Sequence, residues 1–248
     1  MHKLTQKEVL KGLNPENIDF YLLKTVDSTN TFAKGKSLDK DFVVVISEEQ
    51  TAGRGRQGKN WYSPNSGNIY MSIKLKDKND SPLSLIVGLL ISEAMDYVSG
   101  QKINVRLKWP NDLLINNKKI CGILVESEVN EGCVEYIIGI GINYSLPIKE
   151  SWWGEIGELA NALPRESLIN KILKGIIKYS ENGYKNWQSA WENRCMHIGT
   201  ELKVIHYDQE NEESGIFNGI NEEGKMLLQT SNGVKSISSG ECSIKGIY

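Results

Sequence analysis

Three rhythms of apolar and polar residues run along this chain. The run FVVVIS (42–47) is almost continuously apolar and β-branched, as in a strand buried on both faces. GNIYMSIKL (67–75) alternates with the two-residue period of a strand. SPLSLIVGLLISEAMDYVSG (81–100) predicts a helix, with Ser81 as its cap, Pro82 at its first position and Gly100 at its end. VRLKWPNDLLIN, KKICGILVESEV and VEYIIGIGINY then follow as strand-like runs joined by short polar turns, and predict a hairpin-rich antiparallel or mixed sheet. After an irregular stretch, Leu168, Ile169, Ile172, Leu173, Ile176 and Ile177 build one buried helical face. Trp187 and Trp191 extend it past a break at Gly183 as core anchors. Before all these, the pattern predicts a short amphipathic helix over 6–12, a strand over 19–26, a turn at DSTN and a helix from Thr31 with an Asx or Ser/Thr cap.

The texture changes near Gly199. ELKVIHY, SGIFNGI, KMLLQT and VKSISS are short strands separated by NEEG and SNG turns, with Asn232-Gly233 as a hairpin signal. The expected organisation is a first domain over 1–198 and a small β-barrel over 199–248, packed together without a long linker.

Composition narrows the function classes. The 248 residues carry 29 Lys and Arg against 31 Asp and Glu, a formal charge of −2, so no global field draws the chain to nucleic acid or an acidic membrane. The longest apolar stretch, 83–91, is too short to cross a bilayer, and the N-terminus lacks the apolar core of a secretion signal. A cytoplasmic protein with no membrane partner is expected. The four cysteines form no CxxC pair and read as reduced, mostly buried residues. With only three histidines, His2, His197 and His206, chemistry is expected to rest on positioning and charge rather than on an imidazole base.

Cationic work is therefore local, and QTAGRGRQGKNW (50–61) concentrates it. Gly53, Gly55 and Gly58 alternate with Arg54, Arg56 and Lys59, and the run closes on Trp61. Glycines free the backbone for close approach, and arginine offers a planar fork suited to carboxylate or phosphate. By itself the loop fits a small anionic ligand, a solvated turn, or an RGG-like tract that meets nucleic acid. A second constellation runs through KWPNDLLINNKKICGILVE (108–126) and GIGIN (139–143). Trp109-Pro110-Asn111-Asp112 reads as a rigid polar lead into a strand, Lys119 as the start of another, and Gly122 as a place where backbone nears a ligand. Each piece also has a purely structural account: a charged hairpin end for Lys118 and Lys119, close packing for Gly139 and Gly141.

Taken in order, DSTN, GRGRQGKNW, KWPNDL, KKICGILVE and GIGIN resemble the catalytic domain of biotin–protein ligases, also called biotin–[acetyl-CoA-carboxylase] ligases. The tail containing SGE resembles their C-terminal barrel. The resemblance covers nearly the whole chain from Phe20. It implies an α+β fold: a class II aminoacyl-tRNA-synthetase-like catalytic domain, its mixed or antiparallel sheet flanked by helices, plus a small C-terminal SH3-like β-barrel. It also implies a two-step reaction, in which biotin and ATP give biotinyl-5′-AMP and pyrophosphate, and the acyl group then passes to a lysine of a biotin carboxyl carrier domain. Two anions must meet in the first step, which calls for cations and oriented donors, with Mg2+ on the phosphates.

By the same resemblance, Ser28, Thr29, Asn30 and Gln50 hold the ureido ring, with Gly122 in the biotin site. Arg54, Gly55 and Arg56 wrap carboxylate and phosphate, and Lys119 sits where the carboxylate and α-phosphate meet. Trp61 offers a face to adenine, with Asn111 and Asn143 as polar or metal-proximal partners. Asp112 orients or deprotonates the incoming lysine, or braces its loop. Gln57 stands where the family often has another arginine. Many relatives carry an N-terminal DNA-binding domain; VDSTN begins here at Val26, so a stand-alone ligase that does not bind DNA is expected, with a homodimer as its possible assembly. The alternatives are a lipoate or octanoate ligase, a sister chemistry without the GRGR-to-Trp loop, and a non-catalytic nucleic-acid binder using Arg54 and Arg56.

Overall fold

The computed structural model describes residues 4–79, 81–148, 150–205, 212–238 and 241–243. His2, His206 and the Ser239-Gly240 pair of the tail motif lie outside the described residues. Seven strands form the main sheet: β1 (Ile18–Leu23), β2 (Phe42–Ser47), β3 (Ile69–Leu75), β4 (Arg106–Lys108), β5 (Asp112–Ile115), β6 (Lys118–Asn130) and β7 (Cys133–Ile142). Their order is β1-β2-β3-β7-β6-β5-β4. Only β1 and β2 run parallel; every other neighbouring pair is antiparallel, so the sheet is mixed as the hairpin-rich pattern requires.

β2 is buried along its whole length, and its side chains divide between two clusters. Val44 and Ile46 face the main core, while Val43 and Val45 meet Ala33 and Ile137 on the opposite face. The main core is covered by α3 (Leu83–Ser99) and α4 (Arg165–Asn182), which pack on each other. The small α2 (Thr29–Lys34) lies on the opposite face, against β2, β3 and β7. That face, where the sheet carries glycines and polar residues instead of a thick apolar layer, holds the site.

Local signals explain most element ends. Gly100 takes the left-handed conformation (φ 63°) and closes α3, as a residue without Cβ does at little cost. The expected start of α3 is corrected: the helix begins at Leu83, Pro82 is its cap position, and no side chain caps it. Helix α2 begins two residues before Thr31, because the Ser28 hydroxyl accepts from the Thr31 amide. The helix near the N-terminus, α1, covers only Gln6–Val9, and the strand expected over 19–26 is Ile18–Leu23. VRLKWPNDLLIN is not one strand but two, β4 and β5, turning at Trp109-Pro110-Asn111 around a cis peptide. Trp191 on α5 (Trp187–Arg194) is fully buried, whereas Trp187 is a partly exposed neighbour of the core. Cys121 and Cys195 are buried and Cys133 is exposed, all three as free thiols.

The C-terminal strands β8 (Glu201–Ile205), β9 (Glu212–Ile220), β10 (Met226–Thr230), β11 (Gly233–Ile237) and β12 (Glu241–Ser243) form a separate antiparallel sheet, ordered β11-β10-β9-β8-β12. The β10–β11 hairpin pairs Thr230 with Gly233, so Ser231-Asn232 make the turn, one residue earlier than the Asn-Gly signal suggests. This sheet docks on the main body. The Trp109 indole N–H donates to the Gly224 carbonyl at 3.0 Å, and the Ile220 amide donates to Glu192 of α5 at 2.9 Å.

Candidate active site

Glycines in β6 and β7 leave a shallow floor on the α2 face. A Cβ at Gly122 would stand 2.8 Å from the Trp61 ring, and one at Gly141 would stand 2.5 Å from it, closer than real side chains approach. Trp61 therefore lies flat across the sheet. Next along the same floor, Gly139 makes room for the Asn30 amide, which a Cβ would meet at 2.4 Å. Above the floor is a cavity of about 450 Å³.

Gly53, Gln57, Gly58 and Lys118 do not line this cavity, but the residues given a substrate or catalytic role by the resemblance do: Ser28, Thr29, Asn30, Gln50, Arg54, Gly55, Arg56, Trp61, Asn111, Asp112, Lys119, Gly122 and Asn143. They come from segments scattered over more than a hundred positions, which the sheet order brings to one place. At one end, α2 presents its first turn. Gln50 Oε1 accepts from the Thr29 amide (2.8 Å) and hydroxyl (3.0 Å), while Gln50 Nε2 donates to Ser63 Oγ (2.9 Å). Ser72 Oγ, fully buried on β3, lies 2.7 Å from Thr29 Oγ1 and 2.6 Å from Asn30 Oδ1. These bonds fix both side-chain amides in one orientation. The result is a set of alternating donors and acceptors suited to a neutral, polar ring.

At the other end the charges gather. Lys119 Nζ lies 2.7 Å from Asp112 Oδ1 and 5.4 Å from the centre of the Trp61 ring. Its backbone is held from outside the main sheet: Lys119 N donates to the Trp152 carbonyl (3.1 Å), and Gly154 N donates to the Lys119 carbonyl (2.7 Å). Asn111 ties its turn to β6, its Nδ2 donating to the Ile123 carbonyl at 2.8 Å. Arg56 Nη1 reaches Asn111 Oδ1 at 3.4 Å from across the cavity, and Arg54 Nη2 meets Glu126 Oε2 at 2.7 Å. Asn143 Nδ2 donates to the Gly154 carbonyl at 3.1 Å, which makes it a brace for the segment beside Lys119. The glycine loop is itself pinned by Gly55 N to the Lys59 carbonyl (2.7 Å) and Trp61 N to the Gly53 carbonyl (2.9 Å). Gln57, at φ 55°, turns in the left-handed region between them.

Sequence reasoning passed over several lining residues. Trp152 and Trp153 fall in the stretch read as irregular; both line the cavity, and Trp153 stacks on Tyr62 with ring centres 6.0 Å apart. The tryptophan doublet in an otherwise polar run was the available signal. Lys108, buried at the end of β4, and Ile205 of the C-terminal sheet also line it. Ser72 and Glu126 stand in strands whose pattern marks them only as alternate positions.

The arrangement can hold a neutral ring at one end and bring two anions together at the other. Comparison with known proteins agrees. Residues 22–143 match the biotin/lipoate A/B protein ligase family, and residues 197–245 match the biotin protein ligase C terminal domain. The chain is 31% identical to the bifunctional ligase/repressor BirA of Escherichia coli (strain K12), with 98% of this chain and 78% of that protein covered. It is 28% identical to the biotin–[acetyl-CoA-carboxylase] ligase of Paracoccus denitrificans, with 89% of this chain and 98% of the relative covered. Among solved structures it resembles the biotin protein ligase from Aquifex aeolicus in complex with biotin and ATP, at 29% identity and a TM-score of 0.73, over 91% of this chain and 97% of that one. The chain belongs to the biotin/lipoate A/B protein ligase family, and within it to the biotin protein ligases.

Proposed function

We propose that this chain joins biotin to ATP as biotinyl-5′-AMP, releasing pyrophosphate, and then transfers the biotinyl group to a lysine of a biotin carboxyl carrier domain. The observation that carries the reading is the single cavity, with a preset polar end at α2 and a cationic end at Lys119 and Arg56. In the first step a biotin carboxylate oxygen attacks the α-phosphorus and the bond to pyrophosphate breaks. Charge accumulates on the non-bridging oxygens, where Lys119 and Arg56 are placed to stabilise it. Lys119 is held by Asp112 until the substrate anions compete for it. In the second step a neutral lysine amine attacks the acyl carbonyl, AMP departs with the bonding pair, and the amine loses a proton. Asp112 is the carboxylate placed to orient that amine.

Ser28, Thr29, Asn30 and Gln50 take the ureido group, with Gly122 in the floor beneath the ligand. Trp61 spans that floor and offers one face to adenine. Asn111 and Asn143 border the nucleotide end, where the Tyr62–Trp153 stack offers a second aromatic surface to adenine. Among the described residues no cluster of three or more His, Cys, Asp or Glu could hold a metal ion. Mg2+ would ride mainly on the phosphates, where the side-chain oxygens of Asn111 and Asp112 would be the protein donors nearest to hand, and it would supply neutralisation of phosphate charge. We read residues 1–198 as a class II synthetase-like catalytic domain and 199–248 as an SH3-like barrel that helps to frame it.

Incubation of the chain with ATP, biotin and a carrier domain tests the reading by mass spectrometry. The carrier should gain one biotinyl group on one lysine. Modification by lipoate in place of biotin would contradict it.

A further inference from the structure

A single carboxylate oxygen connects the two halves of the cavity wall. Glu126 Oε2, on β6, accepts from Arg54 Nη2 of the glycine loop at 2.7 Å and from Asn30 Nδ2 of α2 at 2.8 Å. Asn30 has no freedom to turn away, because its Oδ1 accepts from buried Ser72 and Gly139 gives it a slot that a Cβ would fill. Arg54 makes this contact through one terminal nitrogen, with its side chain 42% exposed. Its neighbour Arg56 reaches the Asn111 amide oxygen, close to the Lys119–Asp112 pair. The two arginines of the loop therefore meet different chemistry: one a carboxylate of the chain itself, the other an uncharged oxygen at the cationic end.

We propose that Glu126 is a positioning residue that latches the glycine loop to α2. It holds Arg54 as the anchor of the loop and Asn30 as a preset contact for the ring, and leaves Arg56 and Lys119 to receive the substrate anions. The inference rests on the ligase reading above. Because both donors share one oxygen, departure of Arg54 removes the charge partner of the carboxylate to which Asn30 Nδ2 donates, alongside its longer contact to the Leu124 carbonyl at 3.4 Å. Ring binding and loop closure are thus coupled through one charge-assisted contact, which partial exposure weakens by solvent screening.

Biotin binding to the full chain, followed by calorimetry and by dissociation rate, tests the latch with Arg54→Lys, Arg54→Gln, Glu126→Gln and the Arg54→Gln/Glu126→Gln double variant. The single Gln variants should each weaken biotin about tenfold, mainly through faster dissociation. The double variant should be no worse than either, as for two partners in one interaction. Arg54→Lys should stay within about threefold of wild type, since one donor suffices for the observed contact. KM for ATP should move less than biotin affinity in all four. Additive losses, equal damage from Lys and Gln at position 54, or a rise in KM for ATP with unchanged biotin affinity would overturn the latch. A melting point lowered with no change in biotin dissociation would also overturn it. Wild-type chain that binds no biotin would instead remove the ligase reading, and the latch with it.

Discussion

At the scale of single residues, the floor is the most demanding feature, because no rearrangement short of moving Trp61 accommodates a methyl group at Gly141. Gly141→Ala should reduce adenylate formation about a hundredfold, the size of effect expected from an ångström-scale displacement at a reacting centre. An unchanged circular dichroism spectrum would show that the sheet survives, and unchanged activity would count against the role given to the floor. Lys119→Ala should lower adenylate formation by about 10²–10³-fold, as removal of an oriented charge-stabilising donor does, with biotin-dependent ATP–pyrophosphate exchange as the readout. Lys119, Arg54, Arg56 and Trp61 were legible in the sequence because each sits in a short local motif of unusual composition. Ser72 was not. A serine at an alternate position of a strand carries no mark of facing Thr29 and Asn30, and its partners lie more than forty positions away. The three-way contact at Glu126 was hidden for the same reason, being a product of sheet register and not of spacing.

At the scale of elements, the glycine loop and α2 are the parts whose placement decides the chemistry. The loop reaches across the cavity through Arg56 and Asn111, so it can shelter a mixed anhydride from water and stray amines. Arg56→Gly should shorten the residence of the adenylate on the protein, measured by rapid filtration; equal residence in both proteins would contradict the sheltering role. Helix α2 is fixed at its far end by Lys74, whose side chain is 1% exposed. Lys74 donates to the Lys36 carbonyl at 2.7 Å and meets Glu128 and Glu135 at 2.8 and 2.9 Å. Burial alone would lower the Lys74 pKa, but the bonds to the two carboxylates outweigh it and the net direction is upward. Lys74→Met should cost about 3–5 kcal/mol in denaturant unfolding, since it removes the close partner of Glu128 and of buried Glu135, which keeps the longer Lys76 contact at 4.0 Å. A loss under about 1 kcal/mol would show that the cluster is dispensable. The strands and long helices were legible from periodicity, and Gly100 marked its helix end. The break at Trp109-Pro110-Asn111 was not, because WPND reads equally as a rigid polar lead within one strand-like run, whereas the chain turns there and pairs back on itself.

At the scale of the whole molecule, the active-site turn is fixed from two places. The Trp109 indole donates to Gly224 of the C-terminal sheet's β9–β10 turn, and in the segment before that sheet Nε2 of fully buried His197 accepts from the Trp109 amide while the Met196 amide donates to the Leu107 carbonyl. Burial, reinforced by the Lys108 charge and opposed by Asp112, pushes the His197 pKa down from 6.5 to about 3. Between these values the unfolded chain binds a proton that the folded chain refuses, so stability rises with pH across this window. Acidification from pH 7 should therefore destabilise the protein, and His197→Gln should flatten the dependence between about pH 6.5 and 3. An unaltered pH profile would place the acid sensitivity elsewhere. The change of texture near Gly199 announced the second sheet, but the bonds of His197 and Gly224 to Trp109 were invisible, since neither a histidine nor a turn glycine reveals a partner on a distant part of the chain. If the polar end and the cationic end of one cavity bring biotin and ATP into reaction, labelled pyrophosphate should exchange into ATP only when biotin is present, not with lipoate, and the exchange should collapse in Lys119→Ala. Exchange supported by lipoate alone, or undiminished without Lys119, would refute that reaction at this cavity.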